Sequence, residues 1–452
     1  MTLTKAVTLA AAIVSVWAIG AVVVLGRLPS PALPFVTAVL CAAWAGGLLY
    51  RRGSPGLRAA SAAAVLALLV GTATAQAPAG TDPEPASEQP WTLLRHGTLL
   101  LDEAPILREK PRAHWIYRRP DGKTASWYPP GMALLLTPFY LPTALAAQPS
   151  SALLAQFARM ASALLSALAI LLLGLALARA GSPPGWIFAA CLLYGLCSSA
   201  LSLLAQLPWQ QSGIALATSL SLFAAASPRA RGSSSSGFAA GIIAAAVRPP
   251  DVLLVAPFVW AARSWRLAVL TACGVGAGAG AFLASNWLTF GSPLSMGYRL
   301  GQGHLGFTTG ELPESIVGLL LSPAHGLIVF VPWVVLAPLA WRTGERLARA
   351  ALLSALLLFA LISCWWCWWG GDAFGPRMLA ESQLPLAFAV GRVGPSLTAI
   401  HRRALVVLGL VGFLTHGAYL FWLSADPRYS PAGAWENAAH PIGYVLRAEE
   451  RR

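Results

Sequence analysis

Long apolar segments alternate with short polar or basic segments along nearly the whole chain. Many of them reach ~20 residues, the length that an α-helix needs to cross a hydrocarbon core of ~30 Å. The pattern predicts an all-α polytopic membrane protein with about 13 transmembrane helices. The predicted spans are residues 6–26, 31–50, 58–76, 153–178, 184–206, 209–227, 236–248, 251–263, 266–289, 324–341, 350–367, 379–396 and 404–423.

Two predicted spans, 236–248 and 251–263, are too short to cross the membrane alone. Arg248-Pro249-Pro250-Asp251 lies between them, and a helix has to break there because proline lacks a backbone N–H. We therefore expect a shallow hairpin. The apolar segment 131–148 contains Pro138 and Pro142, and it is predicted to be a juxtamembrane or re-entrant helix.

Composition excludes a soluble globular enzyme. The 452 residues are 57% hydrophobic and 11% charged, whereas soluble domains carry roughly a quarter charged residues. The net charge of +14 resides mostly in the loops between spans, as the positive-inside rule requires. It therefore indicates topology and no nucleic-acid partner. The charge pattern predicts a cytoplasmic amino terminus and places segments 77–130, 290–323 and 368–378 on the outer face.

The predicted organisation has three parts. Residues 1–57 form two extra N-terminal helices, residues 58–423 form the transmembrane core, and residues 424–452 form a short outward-facing tail. The outer loop 77–130 is the longest polar segment of the core. It starts with a Pro/Ala/Glu-rich stretch and continues as WTLLRHGTLLLDEAP, which predicts a short amphipathic helix followed by a turn.

The outer loop carries the first candidate chemistry. Asp82, Glu84 and Glu88 follow the third predicted span closely, where a carboxylate can act as general base on an acceptor hydroxyl or amine. A solvated acidic loop is the alternative interpretation.

A second candidate site follows the sequence CWWCWWGG. Asp372 and Arg377 lie in its glycine-rich turn, where an arginine can hold a phosphate and nearby aromatic faces can bind a sugar ring. An interfacial aromatic belt accounts for most of the tryptophans by itself. Arg248 at the predicted break, Arg159 and Arg299 are more dispersed candidates, and Arg159 lies where its side chain can extend to the interface.

Several short motifs occur in an order that resembles a known family. They are Asp82-Pro83-Glu84-Pro85, Leu93-Leu94-Arg95-His96-Gly97, Trp127-Tyr128-Pro129-Pro130-Gly131, Arg159-Met160-Ala161-Ser162-Ala163-Leu164, Arg248-Pro249, Phe290-Gly291-Ser292-Pro293-Leu294, Leu321-Ser322-Pro323 and Phe374-Gly375-Pro376-Arg377. From about residue 60 to residue 423 the chain resembles the GT-C membrane glycosyltransferases. This class includes protein mannosyltransferases and aminoarabinose transferases that use polyprenyl-phosphate sugars.

The resemblance implies a GT-C-like helical bundle with an outer-face loop domain. It also implies that an acidic residue of the first outer loop is the catalytic base. Pro83 separates the two carboxylates that are often adjacent in the family, so Asp82 and Glu84 both remain candidates. The donor would be a polyprenyl-phosphate sugar, bound by Arg377 or Arg248, with Asp372, Tyr128, Arg299 and Arg159 as further contacts.

The resemblance leaves the acceptor open among a lipid, a glycan and a protein. No cofactor is expected, and metal independence is favoured because few outward carboxylates lie beyond the first loop. The richness in Ala, Arg and Trp is typical of a bacterial protein encoded by a high-GC genome, which predicts the plasma membrane and a role in the cell envelope.

Two other functions fit the same pattern. A flippase or transporter of a lipid-linked saccharide is also helical, with membrane arginines and a broken helix pair, although the sequence has no clear internal repeat. A non-catalytic partner of a polysaccharide enzyme is the third possibility, which degenerate carboxylates would favour.

Overall fold

The computed structural model describes residues 53–73, 82–145, 148–227, 229–230, 232–295, 297, 300, 306–421, 423–425, 434–435 and 440. The predicted spans 6–26 and 31–50, the candidate Arg299 and most of the tail 424–452 lie outside the described residues.

Helices account for most of the described chain, as the hydrophobic pattern predicts. They are α1 (Pro55–Ala73), α2 (Glu84–His96), α3 (Ile106–Glu109), α4 (Gly131–Leu136), α5 (Ser151–Arg179), α6 (Pro184–Leu196), α7 (Gln210–Ala226), α8 (Ser233–Val247), α9 (Val252–Ala262), α10 (Trp265–Phe290), α11 (Leu312–Leu321), α12 (Leu327–Phe330), α13 (Arg346–Ser363), α14 (Gln383–Val393) and α15 (Ala399–Phe421). By length and composition, α1, α5, α10, α13 and α15 can cross a membrane.

Three predicted spans are not continuous α-helices. In the segment 379–396, α14 is flanked by 3₁₀ turns at Arg377–Leu379 and Gly394–Ser396. The segment 184–206 is interrupted after Leu196, where the Cys197 carbonyl accepts a hydrogen bond from Trp333 Nε1 at 2.8 Å. The segment 324–341 contains only the short α12, followed by a 3₁₀ helix at Pro332–Thr343. Pro332 and Pro338 explain the interruption of 324–341, because each removes a backbone donor.

The core of the bundle lies around α7 and α14. Almost every side chain of these two helices is buried, although neither reaches the length of a full membrane crossing. By contrast, α10 exposes most of its surface, and α15 has an exposed row that includes Val406, Leu410 and Leu414. In a bilayer, such exposed apolar surface faces lipid.

The break at Arg248 occurs as predicted, but a mutually packed hairpin does not form. Helix α8 packs along α10, whereas α9 packs against α7 and α13. The contact between α8 and α10 is made by backbones, because Gly241, Gly274 and Gly278 face the carbonyls of the neighbouring helix. Small residues at such seams allow helices to approach closely in lipid.

Residues 82–130, within the predicted outer loop, fold into a small unit that is called the outer-loop unit below. Helix α2 already begins at Glu84, earlier than its amphipathic pattern predicts, and it ends at Gly97 in the left-handed region with φ 67°. Strands β1 (Ile116–Arg118) and β2 (Thr124–Ser126) form an antiparallel hairpin. Leu101, Ala104, Ile106 and Trp115 form a separate apolar cluster beneath it.

The outer-loop unit contacts the end of α10 through its hairpin, and it contacts α4 through α2. Arg119 Nη1 donates a hydrogen bond to the Leu288 carbonyl at 2.5 Å, and the Tyr117 and Phe290 rings meet edge to face. The segment predicted at 131–148 is α4 followed by a 3₁₀ helix at Thr137–Leu145. These contacts hold the hairpin over one end of the bundle.

Substitution of the seam glycines tests the packing of α8 on α10. A Cβ atom at Gly274 would lie 2.1 Å from the Phe238 carbonyl oxygen, and one at Gly278 would lie 2.4 Å from that of Ile242. We expect Gly274→Ala and Gly278→Ala to destabilise the protein by about 1–3 kcal/mol, because the helices have to separate. Thermal denaturation in detergent measures the effect.

Gly276 and Gly280 are matched controls in the same helix. A Cβ atom at either position would meet nothing within 4 Å, and alanine favours a helix interior over glycine by up to about 1 kcal/mol. Gly276→Ala and Gly280→Ala should therefore leave the melting temperature unchanged or raised. Equal losses of stability in all four variants would contradict the close packing of α8 on α10 at Gly274 and Gly278.

Candidate active site

One large cavity lies under the outer-loop unit, at the end of the helices where the break at Arg248 also occurs. Its volume is about 1080 Å³. Its wall combines charged, aromatic and small residues from segments far apart in sequence. These include Asp82, His114, Trp127, Tyr128, Trp209, Arg248, Asn286, Phe290, Trp365, Trp366, Asp372 and Arg377. The three segments predicted to share the outer face therefore contribute to a single cavity.

The turn after α13 places Arg377 in this cavity. Gly370, Gly371 and Gly375 all have positive φ, at 85°, 69° and 63°, a conformation that glycine adopts without steric cost. The buried rings of Trp368, before these glycines, and of Phe374, between Gly371 and Gly375, anchor the turn. The chain can therefore reverse sharply and still direct an arginine towards the outer-loop unit.

Arg377 binds Asp82 across the cavity. Its Nη1 lies 2.6 Å from Asp82 Oδ2, and its guanidinium carbon lies 4.6 Å from the centroid of the Trp209 ring. The Arg377 side chain is 14% exposed, and among the described residues its buried Nε has no hydrogen-bond partner. Asp82 and Arg377, which the sequence predicts as separate candidates, thus form one ion pair. The guanidinium group of Arg377 stacks on Trp209, which is not among the predicted candidates.

His114 completes this cluster from the strand side. Its Nε2 lies 3.0 Å from Asp82 Oδ1, and its side chain is half exposed on the cavity wall. Burial acts to raise the pKa of Asp82, but the charge of Arg377 and hydrogen bonds from His114, Arg377 and Tyr128 together hold it well below its usual range. The hydrogen bond with Asp82 in turn raises the pKa of His114.

Sequence reasoning missed His114 because no local spacing connects it to Asp82, which lies 32 residues earlier. The only signal in the sequence is its position in the same predicted outer loop as Asp82.

Glu84, the other candidate base, faces a different set of residues. Its carboxylate accepts a hydrogen bond from Trp115 Nε1 at 3.0 Å and forms an ion pair with Lys110. Glu84 does not belong to the cavity wall, whereas Asp82 does. The geometry therefore assigns Glu84 to the attachment of α2 to the hairpin.

A second charged cluster surrounds Arg248. Its Nη1 lies 3.1 Å from Asp251 Oδ2 and 2.5 Å from Glu381 Oε1, and both carboxylates are fully buried. Arg248 itself reaches the cavity wall with 16% of its side chain exposed. Glu381, which comes from the turn before α14, was not predicted, because nothing near it in sequence indicates a partner 133 residues away.

The remaining candidates lie in different places. Tyr128 and Asp372 belong to the cavity wall. Arg159 is half-buried in α5 and does not reach the cavity, and its Nε has no hydrogen-bond partner among the described residues. Arg299 lies outside the part of the chain that the structure describes.

Comparison with known proteins gives no matching family model, no similar curated protein and no similar solved structure.

Glu88 provides a test of the electrostatics beneath the outer loop. It lies in α2 with 2% of its surface exposed, and burial raises its pKa to about 8. A carboxyl group whose pKa is raised by folding destabilises the fold progressively as pH rises from its ordinary value through the raised one. We expect Glu88→Gln to be more stable than wild type by about 1–3 kcal/mol at pH 8 and equally stable at pH 4.5.

Thermal denaturation at both pH values measures this difference. Glu103→Gln, at an exposed carboxyl group of the same loop, is the matched control and should behave like wild type. A constant offset between wild type and Glu88→Gln across the pH range would contradict the role of ionisation.

The Arg248 cluster makes a separate prediction. Removing the cation leaves two buried carboxylates without compensation, so Arg248→Met should destabilise the protein by about 3–5 kcal/mol. The double variant Arg248→Met/Glu381→Gln should recover part of the loss, because one of the carboxylates is then removed. Arg403→Met, at an exposed position of α15, is the control in the same thermal assay. A loss of stability in Arg248→Met no larger than that in Arg403→Met would contradict the role of Arg248 in compensating the two buried carboxyl groups.

Proposed function

We propose that this protein is a membrane glycosyltransferase of the GT-C class that moves a sugar from a polyprenyl-phosphate donor to an acceptor. The observation that supports this proposal most is the pairing of Asp82 with Arg377 in one aromatic-walled cavity. Three groups then border one cavity. Arg377 is a cation for the leaving phosphate, Asp82 is a carboxylate for the attacking group, and the aromatic rings offer flat faces for a sugar.

The donor side of the proposal rests on Arg377 and the aromatic residues around it. A guanidinium group binds phosphate oxygens through its planar set of donors, and Trp209, Trp365 and Trp366 offer flat apolar faces nearby. Beside the cavity, α10 exposes Leu283, Trp287 and Leu288. An apolar lipid chain can lie along such a surface while its phosphate reaches the cavity.

The reaction is a direct displacement. An acceptor oxygen or nitrogen attacks the anomeric carbon, and the bond from that carbon to the phosphate oxygen breaks with its electron pair remaining on the phosphate. Arg377 stabilises the charge that develops on the leaving phosphate. Asp82 takes the proton that the acceptor loses. The configuration at the anomeric carbon is inverted.

The cellular setting follows from the same proposal. The chain has about thirteen crossings, with a cytoplasmic amino terminus and the cavity on the outer face of a bacterial plasma membrane. Residues 1–57 add two helices to a core formed by residues 58–423. A lipid-phosphate donor suits the outer face because nucleotide sugars are absent there. Metal independence remains part of the proposal.

Transfer of label from polyprenyl-phosphate sugars tests the proposal. Membranes containing wild type should transfer label, and Asp82→Asn should reduce the rate about 100-fold or more because the general base is lost. Arg377→Ala should reduce it about 100-fold or more because the leaving phosphate is no longer stabilised. Folding of each variant is checked by size-exclusion chromatography in detergent.

Glu84→Gln is the matched control for Asp82→Asn. It neutralises a carboxylate two residues away that lies outside the cavity wall, so it should retain most of the activity. Full activity of folded Asp82→Asn would contradict the assigned base. A wild type that is inert with a broad donor panel but moves a lipid-linked saccharide across a vesicle membrane would instead favour transport.

A further inference from the structure

We propose that the phosphate of an anionic lipid displaces Asp82 from Arg377, while His114 retains the displaced carboxylate. Arg377 then binds either the Asp82 carboxylate or the phosphate of the ligand, one at a time. His114 is a positioning residue that holds Asp82. This inference rests on the proposed function for the identity of the ligand.

The geometry of Arg377 supports the exchange. Asp82 occupies only Nη1 of the guanidinium group, at 2.6 Å, and the buried Nε has no hydrogen-bond partner among the described residues. An arginine binds a phosphate most strongly through two parallel N–H groups. Because Nε is buried, the available pair is Nη1 with Nη2, and this pair is complete only once the carboxylate has moved away from Nη1.

Charge repulsion favours displacement over simultaneous binding. A phosphate and a carboxylate held by the same guanidinium lie within a few ångströms of each other, and like charges at that distance repel strongly where water is scarce. Asp82 is partly buried, with 29% of its side chain exposed. Asp82 thus neutralises Arg377 in this structure and takes the place of the phosphate.

His114 gives the displaced carboxylate a second partner. It holds Oδ1, the oxygen that Arg377 does not contact, at 3.0 Å. The charged groups that act on His114 are Asp82, Glu84 and Arg377. Because each oxygen of Asp82 has its own cationic or polar partner, loss of the Arg377 contact leaves the carboxylate attached on the strand side.

The exchange couples donor binding to the strength of the base. While it is paired with Asp82, Arg377 helps to hold the pKa of this carboxyl group below its usual range, so the carboxylate accepts protons poorly. When Arg377 turns to a phosphate, this influence weakens and burial raises the pKa again. Coupling between two equilibria is reciprocal, so an ionised Asp82 must weaken phosphate binding by the same factor.

The test measures binding of a polyprenyl monophosphate that carries no sugar, so that no turnover occurs. Full-length protein in nanodiscs is titrated with this lipid, and tryptophan fluorescence reports binding because Trp209 lies against Arg377. We expect Asp82→Asn to bind about tenfold more tightly than wild type, since its competitor for Arg377 is neutral. Arg377→Met should bind at least about tenfold more weakly.

Asp372→Asn is the matched control. It removes one negative charge from the same cavity wall, so it measures the general electrostatic effect without touching the Asp82–Arg377 pair. Asp82→Ser is the second neutral variant, used if Asp82→Asn does not fold. Tightening by either Asp82 variant well beyond that of Asp372→Asn supports the exchange.

Two outcomes would overturn the inference in different ways. If wild type binds the lipid through Arg377 but neither neutral Asp82 variant binds more tightly than Asp372→Asn, the exchange is wrong and the proposed function survives. If neither wild type nor any neutral Asp82 variant binds the lipid, both the exchange and the proposed donor class fail.

Discussion

A backbone inside an apolar bundle has to satisfy its own hydrogen bonds, and the rest of this structure depends on that constraint. An unpaired peptide group in hydrocarbon costs several kcal/mol, so the chain remains helical except where side chains replace the missing bonds. After α6 the Ser199 N–H donates to Gln383 Oε1 at 2.9 Å, and Trp333 binds the Cys197 carbonyl. Breaks of this kind allow polar groups to reach the interior.

The two charged clusters on the cavity wall differ in their balance. Around Arg248, one cation faces the carboxylates of Asp251 and Glu381. Around Asp82, one carboxylate faces Arg377 and His114. The first arrangement already surrounds its arginine with two carboxyl groups, whereas the second leaves Arg377 with one carboxylate partner that His114 also holds. The structure therefore favours Arg377 over Arg248 as the residue that binds an anion. The ion pairs with Asp251 and Glu381 are enough to explain why Arg248 lies in a largely buried position.

The sequence predicts local features of this fold well, because they depend on neighbouring residues. Apolar runs predict α1, α5, α10, α13 and α15, and the two prolines after Arg248 predict the break. Pro332 and Pro338 interrupt the predicted span 324–341, and α8 and α9 have different neighbours where the pattern predicts a shallow hairpin. Asp82 and Arg377 were recognised singly from residue type, but their contact joins positions 295 residues apart. His114 and Glu381 were missed for the same reason, since only the folded chain brings them to their partners.

The glycine seam has a mechanical consequence for the cavity. Helix α10 is attached to the bundle mainly through α8, and its far end supplies Asn286 and Phe290 to the cavity wall. Along the seam the contact is backbone on backbone, with no interlocking side chains at Gly274 and Gly278. The position of these two wall residues therefore depends on a close backbone contact at one seam, whereas Asp82 and Arg377 are placed by the outer-loop unit and by the turn after α13.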